Sequence, residues 1–188
     1  MRDHVALFDE TCFAKFHVQG PDALNVLNHL SCANVDVPIV RIVYTQWLNE
    51  RGGIEADLTV TREAADRFMV VTAAATQVRD FAWLKANIPA EARCIAVDIT
   101  SSMAVLNVQG PNSRALLQSL TSVDMSNDAF PFRSAKWIDL GFGRALCVRI
   151  TYLGELGYMI GCINSGRAPR HVTAEDGVSA VEICEAEE

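Results

Sequence analysis

The sequence contains no apolar run near the ~20 residues that span a bilayer, no Cys-x-x-Cys pair and no excess of positive charge. Each absence removes a class of protein. No membrane-spanning helix is expected. The formal net charge of −7 argues against a surface built for nucleic acid or anionic lipid. Cys12, Cys32, Cys94, Cys147, Cys162 and Cys184 are scattered, and Cys94 and Cys147 sit inside apolar runs. They read as free thiols of a reducing compartment, not as a disulfide framework or a metal set. His4, His17, His29 and His171 make no ligand spacing, so no metal site is expected. There is no Gly-x-x-x-x-Gly-Lys-Ser/Thr phosphate loop and no His-Glu-x-x-His. Gly141-Phe-Gly143 precedes a strand pattern, which is the wrong context for a dinucleotide fingerprint. Residues 1–10 contain acids and no long apolar segment, so they read as neither a secretory signal nor a transit peptide. A cytoplasmic location is expected, or the mitochondrial matrix in a eukaryote.

What is present suits a globular domain. Half of the 188 residues are hydrophobic, enough to bury a core. The acid is uneven. From Gly161 onward six acidic residues face two basic ones, a formal −4, which leaves −3 for residues 1–160. The organisation expected is one domain over 1–160 and a divergent, poorly ordered acidic tail over 161–188.

One internal repeat stands out. Phe16-His-Val-Gln-Gly-Pro-Asp-Ala-Leu-Asn-Val-Leu-Asn-His-Leu (16–30) matches Leu106-Asn-Val-Gln-Gly-Pro-Asn-Ser-Arg-Ala-Leu-Leu-Gln-Ser-Leu (106–120). Each copy reads as a strand, a Gly-Pro turn with proline in the first helical turn, and a helix. Leu24, Val26, Leu27 and Leu30 fit one helical face, as do Leu116, Leu117 and Leu120. Between the copies, strands are expected at 43–48, 54–61, 67–71 and 95–99, with a helix over 76–87 ended by Pro89. A last clear strand is expected over 143–151. The pattern is α+β: mostly antiparallel sheets with helices, and two similar β-α-β lobes.

The segment Tyr44 to Arg62 is the richest in candidate chemistry. In the strand after Gly52-Gly53, Ala56, Leu58 and Val60 alternate with Glu55, Asp57, Thr59 and Thr61. Period-2 geometry puts Asp57 on the polar face. That face either meets solvent or looks into a ligand cleft, and pattern alone leaves both open.

Tyr-Thr-Gln-Trp-Leu-Asn-Glu-Arg-Gly-Gly-Ile-Glu-Ala-Asp-Leu-Thr-Val-Thr-Arg (44–62) resembles the hallmark stretch of the glycine-cleavage T-protein (aminomethyltransferase) superfamily. It is most similar to the C-terminal folate domain of dimethylglycine and sarcosine dehydrogenases. Val5-Ala-Leu-Phe-Asp, Phe13-Ala-Lys-Phe-His-Val-Gln-Gly-Pro, Phe68-Met-Val-Val-Thr-Ala-Ala and Arg149-Ile-Thr-Tyr-Leu-Gly-Glu-Leu-Gly-Tyr agree, in the expected order over 1–158. The resemblance implies the N-terminal part of a folate-binding domain. It implies tetrahydrofolate as cofactor, with Tyr44, Asp57, Thr72 and Tyr152 lining its pocket and Asp57 beside the reactive nitrogens. A carboxylate there stabilises a one-carbon unit carried as a cation. The resemblance places no FAD site in this chain, so a separate FAD-dependent oxidoreductase domain is the expected partner. Family members continue Gly-Glu-x-Gly-aromatic-Glu, and the last Glu grips the pterin. Here Met159 follows Tyr158, which weakens that grip. The alternative implied is a non-catalytic accessory relative that has lost the pterin anchor. A third branch, which maintains iron–sulfur enzymes, carries a Lys-Gly-Cys-Tyr-x-Gly-Gln-Glu motif absent here.

Overall fold

A computed structural model describes residues 3–151 and 156–163. Ten strands and three helices follow in chain order: β1 (Ala6–Asp9), β2 (Ala14–Gln19), α1 (Ala23–Leu30), β3 (Ile42–Leu48), β4 (Ile54–Ala64), β5 (Arg67–Thr72), α2 (Gln77–Ala86), β6 (Ile95–Asp98), β7 (Met103–Gln109), α3 (Ser113–Gln118), β8 (Ala135–Leu140), β9 (Gly143–Val148) and β10 (Gly157–Ile163). They form two five-stranded sheets, ordered β3-β4-β5-β2-β6 and β8-β9-β10-β7-β1. Every named strand pair is antiparallel. The α+β class is as the sequence implies.

The repeat governs this topology. Each unit is a strand, a helix and a three-stranded meander: β2-α1-β3-β4-β5 and β7-α3-β8-β9-β10. The remaining strands are exchanged. β1 precedes the first unit but pairs with β7 of the second, while β6 precedes the second unit and pairs with β2 of the first. Where the units meet, Arg41 and Ser134 form an isolated antiparallel bridge. Around it the bonds are reciprocal: Ile42 N donates to Arg133 O at 3.1 Å and Ala135 N to Val40 O at 2.7 Å. Val40 (φ 64°) and Arg133 (φ 61°) are both left-handed there, a costly conformation for a β-branched valine.

The sheets stack, and each outer face carries helices. Ala14, Phe16, Val18, Leu58, Val60, Phe68 and Val70 meet Ala23, Val26, Leu27, Leu30 and Leu84 of α1 and α2. Val108, Ile138, Cys147, Tyr158 and Ile160 meet Leu117 of α3 together with Met125 and Phe130. Between the sheets lies a third apolar layer, including Ile42, Met69, Val71, Met103, Val105, Leu146, Val148 and Met159.

Several sequence expectations are corrected. Strands β1, β8 and β10 are additional, and β9 ends at Val148 rather than 151. Pro21 and Pro111 precede the cap residues Asp22 and Asn112, so they belong to the turn and not to the first helical turn. Of the α3 leucines only Leu117 is buried. Leu116 is exposed, and Leu120 lies beyond the helix end. Strand β10 runs to Ile163. The rest of the expected tail, 164–188, lies outside the described residues.

Gly20 (φ +129°) shows how tightly the first strand–helix turn is closed. A Cβ built there would lie 2.1 Å from Arg93 O. Asp22 holds the same loop by accepting Arg93 N at 2.9 Å. Gly20→Ala is therefore expected to cost about 1–3 kcal/mol in backbone strain alone, plus the clash. Gly52 (φ +76°) has nothing within 4 Å of its Cβ position, so Gly52→Ala is expected to cost about 1 kcal/mol. Urea unfolding of the two variants checks the ranking.

Candidate active site on an exposed strand face

The polar side of β4 looks toward the other sheet. Thr59 and Thr61, two and four residues past Asp57, are 4 % and 1 % exposed and sit in the inter-sheet layer. Period-2 geometry puts Asp57 on this same side. At Asp57 the opposing sheet no longer covers it, and the residue is exposed. The register pairs Asp57 with Gln46 and Thr59 with Tyr44. Tyr44 and Gln46 therefore flank the carboxylate across the strand.

The hairpin that delivers Asp57 is fixed by its turn. Asn49 Oδ1 accepts Arg51 N at 3.0 Å and Gly53 N at 2.9 Å, and Asn49 Nδ2 donates to Glu55 Oε1 at 2.7 Å. Gly52 supplies the positive φ. The turn that starts β4 is thus fixed by local chemistry.

Both Asp57 oxygens are engaged by neutral donors. The Tyr44 hydroxyl donates to Oδ2 at 3.0 Å, and Gln46 Nε2 donates to Oδ1 at 3.0 Å. Other carboxylates are partnered by arginines: Glu63 by Arg67, with His17 also beside it, Asp36 by Arg62, Asp22 by Arg93 and Asp80 by Arg79. Among the described residues no such ion pair involves Asp57, so its charge is oriented but not cancelled. The hydrogen bond to Asp57 pushes the Tyr44 phenol above the usual tyrosine range, with desolvation and the nearby negative charge adding to it.

Thr72 ends β5 behind this carboxylate and is 3 % exposed. Its hydroxyl lies 2.6 Å from Asp80 Oδ2 and 3.5 Å from Asp57 O. A hydroxyl has one proton, so it goes to Asp80, and the longer contact is at most weak. The structure thus brings Tyr44 and Asp57 together, whereas Thr72 turns its hydroxyl toward α2 and meets only the backbone of Asp57. Tyr152 lies outside the described residues.

Sequence reasoning missed Gln46, Asp80, Arg79 and Lys15. Gln46 was findable, since a hairpin places it opposite Asp57. Asp80 sits in the first turn of α2, where acids are common, and nothing in its neighbourhood flagged it as buried. Lys15 is fully buried on the inter-sheet side of β2 and donates to Thr11 O at 2.9 Å and Phe13 O at 2.7 Å. Burial pushes its ammonium below the usual lysine range. Cys12, Cys32, Cys94 and Cys147 are free thiols, with Cys94 and Cys147 buried. No metal-binding group of His, Cys, Asp or Glu occurs among the described residues. No helix among them is long and apolar enough to cross a membrane.

Two stacked antiparallel sheets built on a repeat thus carry an accessible acid just past a Gly-Gly hairpin. The family pattern of the GCVT N-terminal domain matches residues 1–170, and the chain belongs to that family. The match extends beyond Tyr158. The chain is 41 % identical over 157 residues to 4-methylaminobutanoate oxidase (formaldehyde-forming) of Paenarthrobacter nicotinovorans, covering 84 % of this chain and 19 % of that protein. It is 33 % identical over 155 residues to the mitochondrial dimethylglycine dehydrogenase of Rattus norvegicus, covering 82 % and 18 %. The chain thus spans about a fifth of the length of these curated relatives. Among solved structures, the glycine cleavage system aminomethyltransferase T from Bartonella henselae superposes with a TM-score of 0.73 at 28 % identity, over 86 % of this chain and 43 % of that one. A chain of the heterotetrameric sarcosine oxidase from Corynebacterium sp. U-96 shares the fold, with a TM-score of 0.67 at 16 % identity over 97 % and 84 %.

The Tyr44–Asp57 bond has a direct spectroscopic consequence. The phenol is raised, so this contact adds stability fully present below the ordinary tyrosine pKa of about 10. That stability is lost as pH rises through the higher folded value. Alkaline ultraviolet titration is expected to show one phenol, absent in Tyr44→Phe, ionising late. In Asp57→Asn it is expected to return toward about 10.

Proposed function

We propose that this chain is a tetrahydrofolate-dependent one-carbon transfer domain, of the dimethylglycine- and sarcosine-dehydrogenase type, with Asp57 as its catalytic carboxylate. The observation that carries the reading is the Asp57 carboxylate itself: exposed, held by Tyr44 and Gln46, and without an ion-pair partner among the described residues. The names of the relatives support it, because an oxidase that forms formaldehyde and an aminomethyltransferase both handle a one-carbon unit on nitrogen.

The donor set suits the nitrogen end of tetrahydrofolate. When bound, tetrahydrofolate supplies the nitrogens that take up a one-carbon unit at the formaldehyde level. Asp57 holds a negative charge beside that position, and Tyr44 and Gln46 fix which way its oxygens point. A preset carboxylate need not reorganise as positive charge develops. Position 159 does not serve the far end of the ligand. Met159 is 7 % exposed in the apolar inter-sheet layer, beside a cavity of about 20 Å³ with room for about one water. Oxidation of the amine belongs, in this reading, to a FAD-dependent oxidoreductase domain or subunit that works with this one.

A second reading is a non-catalytic accessory domain. Met159 favours it. So does a 32 % identity over 162 residues to the mitochondrial pyruvate dehydrogenase phosphatase regulatory subunit of Mus musculus, named for regulation and not for catalysis.

Millimolar tetrahydrofolate is expected to raise the melting temperature and to give heat on titration. Asp57→Ala is expected to lower one-carbon transfer by about 10²–10³-fold with little change in melting temperature, since the residue is exposed. Neither heat nor a melting shift in the wild-type chain would remove the catalytic reading in favour of the accessory one.

A further inference from the structure

A buried carboxylate is costly wherever an apolar side chain would fit, even when it is paired. Asp80 is such a group, 1 % exposed in the first turn of α2. Its Oδ2 accepts the hydroxyls of Thr72 and Thr76, both at 2.6 Å. Its Oδ1 accepts Nε and one terminal nitrogen of Arg79, both at 3.1 Å. That same terminal nitrogen of Arg79 donates to Glu55 O at 2.5 Å.

These contacts converge on one place. Glu55 lies two residues before Asp57 on β4. Thr72 pairs in register with Leu58, the residue after Asp57. The helix is therefore tied to the sheet on both sides of Asp57, once along its own strand and once across to the next. The acid meets neither the solvent face nor Tyr44 and Gln46. Its oxygens are fully used in holding Arg79 and the end of β5.

We propose that Asp80 and Arg79 are positioning residues: a clamp from α2 that sets the placement of Asp57 against Tyr44 and Gln46. The functional consequence rests on Asp57 being the carboxylate of the proposed reaction, but the geometric claim does not. A merely structural Asp80 would change how firmly α2 packs and leave the Tyr44–Asp57 bond as it is.

The test uses the full chain with Arg79→Leu and Asp80→Asn. Arg79 has a 59 % exposed side chain, so Arg79→Leu is expected to fold even where Asp80→Asn is weakened. In both variants the late-ionising Tyr44 phenol is expected to move back toward the ordinary tyrosine value, as in Asp57→Asn. Tetrahydrofolate affinity, read by calorimetry, is expected to fall about tenfold, the equivalent of one good hydrogen bond misplaced. An unchanged Tyr44 titration in Arg79→Leu, with the fold intact, overturns the clamp whatever happens to folate. If the wild-type chain binds no folate and the Tyr44 shift is still lost in the variants, the clamp stands and the one-carbon reading falls.

Discussion

The apolar layer between the two sheets is the contact on which the rest depends. Ile42, Met69, Val71, Met103, Val105, Leu146, Val148 and Met159 come from both repeat units. Full burial of such a side chain stabilises by roughly 1.5–3 kcal/mol. The exchange of β1 and β6 makes this layer hard to open, because each sheet contains a strand that enters from the other half of the chain. The units cannot separate without breaking backbone ladders as well as apolar contact. The left-handed Val40 and Arg133 mark the cost of bringing the two meanders together at the Arg41–Ser134 bridge.

This layer explains what the sequence made legible and what it hid. The repeat, the Gly-Gly hairpin, α1 and α2 were readable because each depends on neighbours within a few residues. Strand β10 was hidden because it has no wet face. Tyr158 and Ile160 pack under α3, while Met159 faces the other sheet. Gly157 and Gly161 share the face of Met159, where Gln109 and Met103 occupy the space above them. Apolar residues on both sides and glycine on one leave no period of 2. The exchange of edge strands was hidden for a different reason: β1 and β6 could pair locally, and only the assembled sheets decide otherwise.

The same constraint changes the meaning of the polar side of β4. A strand reading Glu-Ala-Asp-Leu-Thr-Val-Thr suggests one dry and one wet face. Thr59 and Thr61 are buried nonetheless, since a threonine has nearly the shape of valine and can fill an inter-sheet layer. The polar side is a gradient, dry at Thr61 and wet at Asp57. The resemblance pointed to Asp57, but the neutral donors around it could be seen only once β3 and β4 were in register. Asp80 was beyond reach, because its burial is decided by its contact to Thr72 of β5 and by Arg79, which reaches the backbone of β4.

The neutrality of those donors has a further consequence. An acid paired with arginine spends most of its field on its partner, as Glu63 does between His17 and Arg67. Asp57 keeps its field but sits in water, where a unit charge about 4 Å away gains only about 1 kcal/mol; at the effective dielectric near a protein surface the gain is about 4 kcal/mol. The exposed carboxylate is thus oriented without yet being strong. Its effect on a developing cation grows only when something excludes water from the strand face, and the flat body of a ligand laid against Tyr44 is suited to that. Orientation is built into the chain, through the Asn49 turn and the Arg79–Asp80 contacts. Strength depends on what covers Asp57, so the proposed reaction would couple binding to charge stabilisation.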